Sequence, residues 1–181
     1  MPKHYDGWDQ VWLDIDASLA PDLILDARTM TELEKGTFDG IYCSHNLEHY
    51  YPHDVPKVLR GFLHCLKDRG IAEIIVPDIA AVVEQMVTKG MDIEDVLYQS
   101  MVGPITIRDV IYGYGKEIEE SGRDFYAHKT GFTARSLDAA LKQAGFRHTI
   151  VRSGQYFEVH AFASASKERL AETDAWRRFY A

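Results

Sequence analysis

The sequence predicts an α/β domain built on a mostly parallel β-sheet that ends in an antiparallel hairpin. Two observations carry this. Short apolar runs alternate with stretches of helical period through the first half of the chain, and the runs are near-continuous, as in strands covered on both faces. Near the C-terminus two strand-like runs meet at Ser153-Gly154, a connection so short that it requires antiparallel pairing.

The elements follow in order. Val11 to Ile15, Leu23 to Leu25, Gly40 to Cys43 and Ile71 to Val76 read as strands, with a short helix at Met30 to Leu33. Val55, Val58, Leu59, Phe62, Leu63 and Leu66 recur every three or four residues, with Asp54 as N-cap and Gly70 just past the end. Ile79, Val82, Val83, Met86 and Val87 repeat the pattern between Asp78 and Gly90. Leu137, Ala140, Leu141 and Ala144 do so between Thr133 and Gly145. All three stripes are expected to pack on the sheet. Arg147 to Arg152 and Tyr156 to Ser164 form the hairpin. Residues 91–130 fit neither period and are read as an excursion over the sheet edge. Residues 1–165 would then be one domain, and 166–181 a helical tail carrying Leu170, Trp176 and Phe179.

At 181 residues the chain suits a single domain with its own core. The net charge of −8 and the lack of a Lys/Arg stripe argue against nucleic-acid or anionic-membrane partners, whose affinity comes from neutralising phosphates. No apolar run approaches the roughly 20 residues of a bilayer span. Cys43 and Cys65 sit in apolar surroundings and read as reduced core cysteines of a cytoplasmic protein. Self-association is expected, because the sheet and the Trp176/Phe179 tail leave surface to cover.

Ligands of open α/β sheets bind beyond the carboxyl ends of the strands. The first strand ends in Asp14-Ile15-Asp16, where a carboxylate can accept both hydroxyls of a ribose or remain a solvated loop acid. The second ends in Asp26-Ala27-Arg28, where the carboxylate can take an adenine amino group or cap the short helix. The third runs Phe38-Asp39-Gly40-Ile41-Tyr42-Cys43-Ser44-His45-Asn46-Leu47-Glu48-His49. It is followed by the amphipathic helix, a strand ending Val76-Pro77-Asp78, and later His128-Lys129-Thr130-Gly131-Phe132-Thr133.

In this order and spacing the chain resembles class I S-adenosylmethionine-dependent methyltransferases over roughly residues 2–165. The nearest subgroup is the small predicted methyltransferases with an SHxLEH segment. The resemblance implies a Rossmann-like sheet of seven strands, six of them parallel, with S-adenosylmethionine as cofactor and a small molecule as methyl acceptor. Carried over, Asp14 (or Asp16 in its place) holds the ribose, and Asp26 and Ala27 contact adenine. Ser44, His45 and Asn46 line the methionine end and the substrate side. His45 is the candidate catalytic residue, as a general base with a pKa near neutrality or as a pocket wall. Tyr126, His128 and Lys129 are substrate-side candidates.

The family also opens with a strand and a glycine-rich turn that cradles the cofactor. This chain opens Met1-Pro2-Lys3-His4-Tyr5-Asp6-Gly7-Trp8, so the first strand and its turn are read as missing. Pairing between the strands that flank the gap, or a second chain, would repair the sheet. The alternative to an enzyme is therefore a non-catalytic, methyltransferase-like binding module with an impaired cofactor site. A more distant alternative is a zinc hydrolase using His45-Asn46-Leu47-Glu48-His49 as H-x-x-E-H. That motif needs both histidines on one helix and a third ligand downstream. Pro52 breaks the segment and no ligand stretch follows, so no metal is expected. Glu48 and His49 are read as tying the loop to the sheet.

Overall fold

The computed structural model describes residues 2–167, so the expected tail helix lies outside the described residues. The first strands are short. β1 (Leu13–Asp14) and β2 (Leu23–Ile24) pair in parallel, and a 3-10 turn over Ala27–Glu32 follows. Next come β3 (Phe38–Ser44), α1 (Val55–Cys65) and β4 (Leu66–Pro77). α2 (Ile79–Lys89), a hairpin of β5 (Val96–Ser100) and β6 (Gly103–Thr106), α3 (Ile107–Tyr112) and α4 (Gly115–Ser121) occupy the middle of the chain. The last elements are α5 (Ala134–Ala144), β7 (His148–Ser153) and β8 (Glu158–Ser164).

The main sheet has the order β3-β4-β8-β7. β3 and β4 are parallel, and β8 is antiparallel to both β4 and β7. It follows that β3, β4 and β7 share one direction and β8 alone opposes them. The expected hairpin is present, but its final strand is threaded between β4 and β7. Its loop spans residues 154–157, longer than the Ser153-Gly154 turn read from the sequence, because Tyr156 and Phe157 adopt left-handed φ and cannot continue a strand.

β4 is buried on both faces from Gly70 to Pro77. Ala72, Ile74 and Val76 join the main core with Val58, Leu59 and Phe62 of α1 and Leu137 and Leu141 of α5. Ile71 on the opposite face packs with Phe162. At about 25 cal/mol per Å² of apolar surface removed from water, this continuous core is the main stabilising term.

Four expectations are corrected. Gly70 does not end α1: the helix stops at Cys65, and Lys67 to Gly70 bulge out of β4 between the pairs Phe38↔Leu66 and Gly40↔Ile71. Asp54 precedes α1 but makes no cap hydrogen bond, because its carboxylate is drawn to Lys57 (2.7 Å) and Arg28 (3.3 Å). α2 does not pack on the sheet. It buries Val82 against Ile105, Ile107 and Val110 of the excursion and leaves Val83 and Val87 exposed. The excursion is itself regular, containing β5, β6, α3 and α4.

The caps Asp78 and Gly90 of α2, and Thr133 and Gly145 of α5, stand where the sequence placed them. Both cysteines are free and buried. Among the described residues no backbone ladder joins β1 to β3, so these two strands do not pair with each other. Leu13 and Leu25 dock on the core through side chains instead. The segment before β1 lies on the sheet, with Tyr5 donating to Glu73 of β4 at 2.7 Å and the Trp8 ring against Gly40. No helix among the described residues is long and apolar enough to cross a membrane.

Candidate functional site

Within each parallel pair, β1 with β2 and β3 with β4, the carboxyl ends lie side by side, and candidate residues sit at those ends. Leu25 N–H donates to the Asp14 carbonyl (3.0 Å), which sets Asp14 and Asp26 on neighbouring strand ends. One Asp14 carboxylate oxygen accepts from the Asp16 N–H at 2.8 Å. Asp16 is more fully engaged. It accepts from the Ser18 N–H and hydroxyl and from the Arg123 guanidinium, and these bonds, the Ser18 hydroxyl first, hold its carboxyl below the usual range.

Asp26 caps the following 3-10 turn through the Arg28 N–H and binds the Arg28 side chain at 2.6 Å. Burial alone would raise its pKa, but the Arg28 bonds win and lower it. Ala27 is buried, and its backbone N–H donates to the Tyr50 hydroxyl oxygen, although burial, the larger effect, pushes the Tyr50 pKa up. Tyr50 thus ties the Asp26-Ala27 rim to the loop that follows β3.

That loop carries most of the chemistry. The His45 N–H donates to the Ile75 carbonyl at 2.9 Å, one residue beyond Ser44 at the end of β3. His45 then turns through φ +49. Asn46 is exposed and precedes a 3-10 turn over Leu47–His49 that Leu47, fully buried, anchors in the core. His45 Nε2 lies 3.0 Å from Glu158 Oε1, and Glu158 Oε2 lies 3.2 Å from His160 Nε2. The Glu158 bond first, and the Glu48 carboxylate at 3.5 Å second, raise the His45 pKa to about 10 against the effect of burial. An imidazole with a pKa near neutrality was expected. The two carboxylates instead favour its protonated form, in which the ring donates hydrogen bonds, while its side chain stays 47% exposed. Burial would raise Glu158, but His160 and His45 hold it down to about 2.

Beyond the ends of β3 and β4 lies a cavity of about 140 Å³. His45, Pro77 and Glu158 form its floor, and Tyr98, Asp109 and Tyr114 of the excursion help to close it. Tyr156 (φ +61) and Phe157 (φ +63) complete the wall. Among the described residues, three of the four non-glycine residues with left-handed φ, namely His45, Tyr156 and Phe157, therefore line this one cavity. Such strain persists only where the surroundings over-determine it, and it gathers at functional sites.

Of the three substrate-side candidates, only His128 lines the cavity. Lys129 donates to the Asp124 carbonyl (3.0 Å) and lies over the Tyr51 ring. Tyr126 is half-buried, with its carbonyl against Gly113. Glu48 ties the loop not to the sheet but to the segment before α5, and through its backbone: its carbonyl accepts from the N–H groups of Lys129 (2.8 Å) and Thr130 (3.1 Å). Sequence reading missed Tyr98, Asp109, Tyr156 and Glu158, and only the aromatic and charged make-up of the excursion hinted at the first two.

The sequence matches the family described as "Methyltransferase domain" over residues 4–151. The fold is similar to the PH0226 protein from Pyrococcus horikoshii OT3, with TM-score 0.54 and 13% identity over 87% of this chain and 72% of that one. It is also similar to a SAM dependent methyltransferase from Archaeoglobus fulgidus, with TM-score 0.52 and 12% identity over 83% of this chain and 73% of that one. At these identities the likeness is one of fold, a Rossmann-like α/β sheet. No curated protein matches the chain.

Proposed function

The chain belongs to the methyltransferase domain family, and from that premise we propose that it transfers a methyl group from S-adenosylmethionine to a small molecule held in the cavity beyond β3 and β4. The observation that carries the reading is the cavity itself, which opens at the strand ends where open α/β sheets bind ligands and is closed by strained aromatic residues.

The donor chemistry fits the nucleoside half of the cofactor. Asp14 would accept from the ribose hydroxyls, and Asp26 and Ala27 would contact adenine. Ser44 at the end of β3 and Asn46 on the loop that follows it would face the methionine half. Among the described residues no glycine-rich turn adjoins these positions, so Ser44 and Asn46 would bear more of the binding there. When bound, the cofactor supplies an electrophilic methyl group on sulfur. The protein's part is then chiefly positioning. His45, held by Glu158, lines the cavity and positions the acceptor, with Tyr98 and Phe157 beside it.

Thermal shift with S-adenosylmethionine or its demethylated product tests this. A hundredfold excess over Kd should stabilise the fold by about 2.7 kcal/mol, and Asp14→Ala should remove the effect. No shift at millimolar ligand would leave a binding module with an impaired cofactor site, the reading that the separate β1/β2 pair favours. Product mass spectrometry then identifies the acceptor.

A further inference from the structure

Next to the cavity is a cluster that the methyl-transfer reading does not use. Glu48 is 1% exposed, and neither of its carboxylate oxygens has a hydrogen-bond partner. A buried carboxylate in this condition costs several kcal/mol unless an opposite charge compensates it. The nearest imidazole nitrogens, His45 Nδ1 at 3.5 Å and His128 Nε2 at 3.9 Å, stand beyond good hydrogen-bonding distance. One ligand atom from each of Glu48, His49 and His128 lies within 4.8 Å of the other two.

The two rings are also oriented. His49 Nδ1 meets the Ala127 carbonyl at 3.2 Å, and His128 Nδ1 meets the Val110 carbonyl at 2.9 Å. A carbonyl only accepts, so each Nδ1 carries the proton and each Nε2 keeps its lone pair. Outer-shell carbonyls orient metal-binding imidazoles in this way. Thr130, whose N–H donates to the Glu48 carbonyl, adds a buried hydroxyl that also lacks a hydrogen-bond partner.

We propose that Glu48, His49 and His128 bind a divalent transition-metal cation at the edge of the cavity, with open coordination positions turned toward the acceptor. Two imidazoles and one carboxylate suit zinc, iron, cobalt or manganese, whereas magnesium and calcium prefer all-oxygen sites. The ion would bring positive charge to Glu48 at bonding distance, closer than His45 Nδ1 at 3.5 Å. Ligand bonds near 2.1 Å space tetrahedral ligand atoms about 3.4 Å apart, so the cluster closes a little when the ion enters. His128 lines the cavity, which places the ion within reach of an acceptor oxygen. This last use rests on the methyl-transfer reading, but the binding does not. The arrangement also differs from the H-x-x-E-H reading, since His49 is joined by His128, from 79 residues further along, in place of His45.

Equilibrium dialysis of the chelator-stripped chain against Zn²⁺, with Co²⁺ visible absorption as a second probe, tests the site. One ion per chain is expected. Glu48→Gln and His128→Gln should each bind at least ~100-fold more weakly, more than the loss of an outer-shell partner costs. His53→Gln, which removes an exposed imidazole outside the cluster, should bind like the parent. Glu48→Gln sacrifices no side-chain hydrogen bond, so it should keep the parent's circular dichroism. Absence of stoichiometric uptake, or uptake that survives both cluster substitutions, overturns the proposal. Metal uptake without a thermal shift from S-adenosylmethionine would support the site while sinking the methyl-transfer reading. The converse result would do the opposite.

Discussion

Gly113 joins α3 to α4 where the chain packs closely on residues 126–128, and replacing it with alanine isolates the strength of that contact. Its φ of +97 and ψ of +158 lie in a region that essentially only glycine occupies. A Cβ there would stand 2.6 Å from the Tyr126 carbonyl oxygen and 3.1 Å from Ala127 Cα and His128 N, all of them backbone atoms. The conformational cost is about 1–3 kcal/mol, and forcing the backbone apart adds about 1–3 kcal/mol. We therefore expect Gly113→Ala to lose ~3 kcal/mol or more in urea unfolding. At about 2–4 °C per kcal/mol for a chain of this length, the Tm should fall by ~6–12 °C. Gly122→Ala provides the control: φ is also positive (+65), but no atom lies within 4 Å of the added carbon, so about 1–2 kcal/mol is expected. Should the two variants prove equally stable, the close approach at Gly113 carries no cost and the reasoning fails.

Further outcomes follow from the same geometry. Asp26 and Asp54 have folded-state pKa values below those of the unfolded chain, Asp54 chiefly through Lys57 and Asp26 through Arg28. Their stabilisation is present above about pH 4, the ordinary carboxylate value, and is lost as pH falls through the lowered values. Asp54→Asn should flatten the acid limb of a Tm-versus-pH curve, and an unchanged limb would count against the pairing. Cys43 is buried, and burial pushes its thiol up to about 12. Intact mass after iodoacetamide at pH 8 should show no adduct on Cys43 until guanidinium is added. Tyr156 is mostly exposed and sits at φ +61, so Tyr156→Asn, which tolerates that region, should raise Tm by ~2 °C. A fall in Tm would mean that its ring contributes more by packing than its backbone loses by strain.

How much of this was legible in the sequence depended on the range of the signal. α2 and α5 were readable to the residue at their caps, because Asp78, Gly90, Thr133 and Gly145 act on backbone groups within one turn. The hairpin was readable because a short connection leaves one geometry. The start of β4 was not, since Lys67 to Gly70 bulge outward and look like any polar loop. The excursion defeated periodicity: β6 has four residues and α3 six, too few to establish a period. At the site, Asp14, Asp26, Ser44 and His45 could be located because each follows a strand. Glu158 reaches His45 across 113 positions of sequence, and no local rule reports that separation. Glu48 looked structural because its backbone is, while the isolation of its side chain is a fact of three dimensions.

The placement of β8 has a bearing on how the chain matures at the ribosome. Among the described residues β7 has no neighbour except β8, and the inner edge of β4 stays open until β8 arrives. Synthesis must therefore pass Ser164 before that half of the sheet can close, and the preceding stretch emerges with a bare apolar flank. Such a nascent chain is a natural client for holding chaperones. A stop codon only a few residues before Ser164 would begin to unzip two ladders at once.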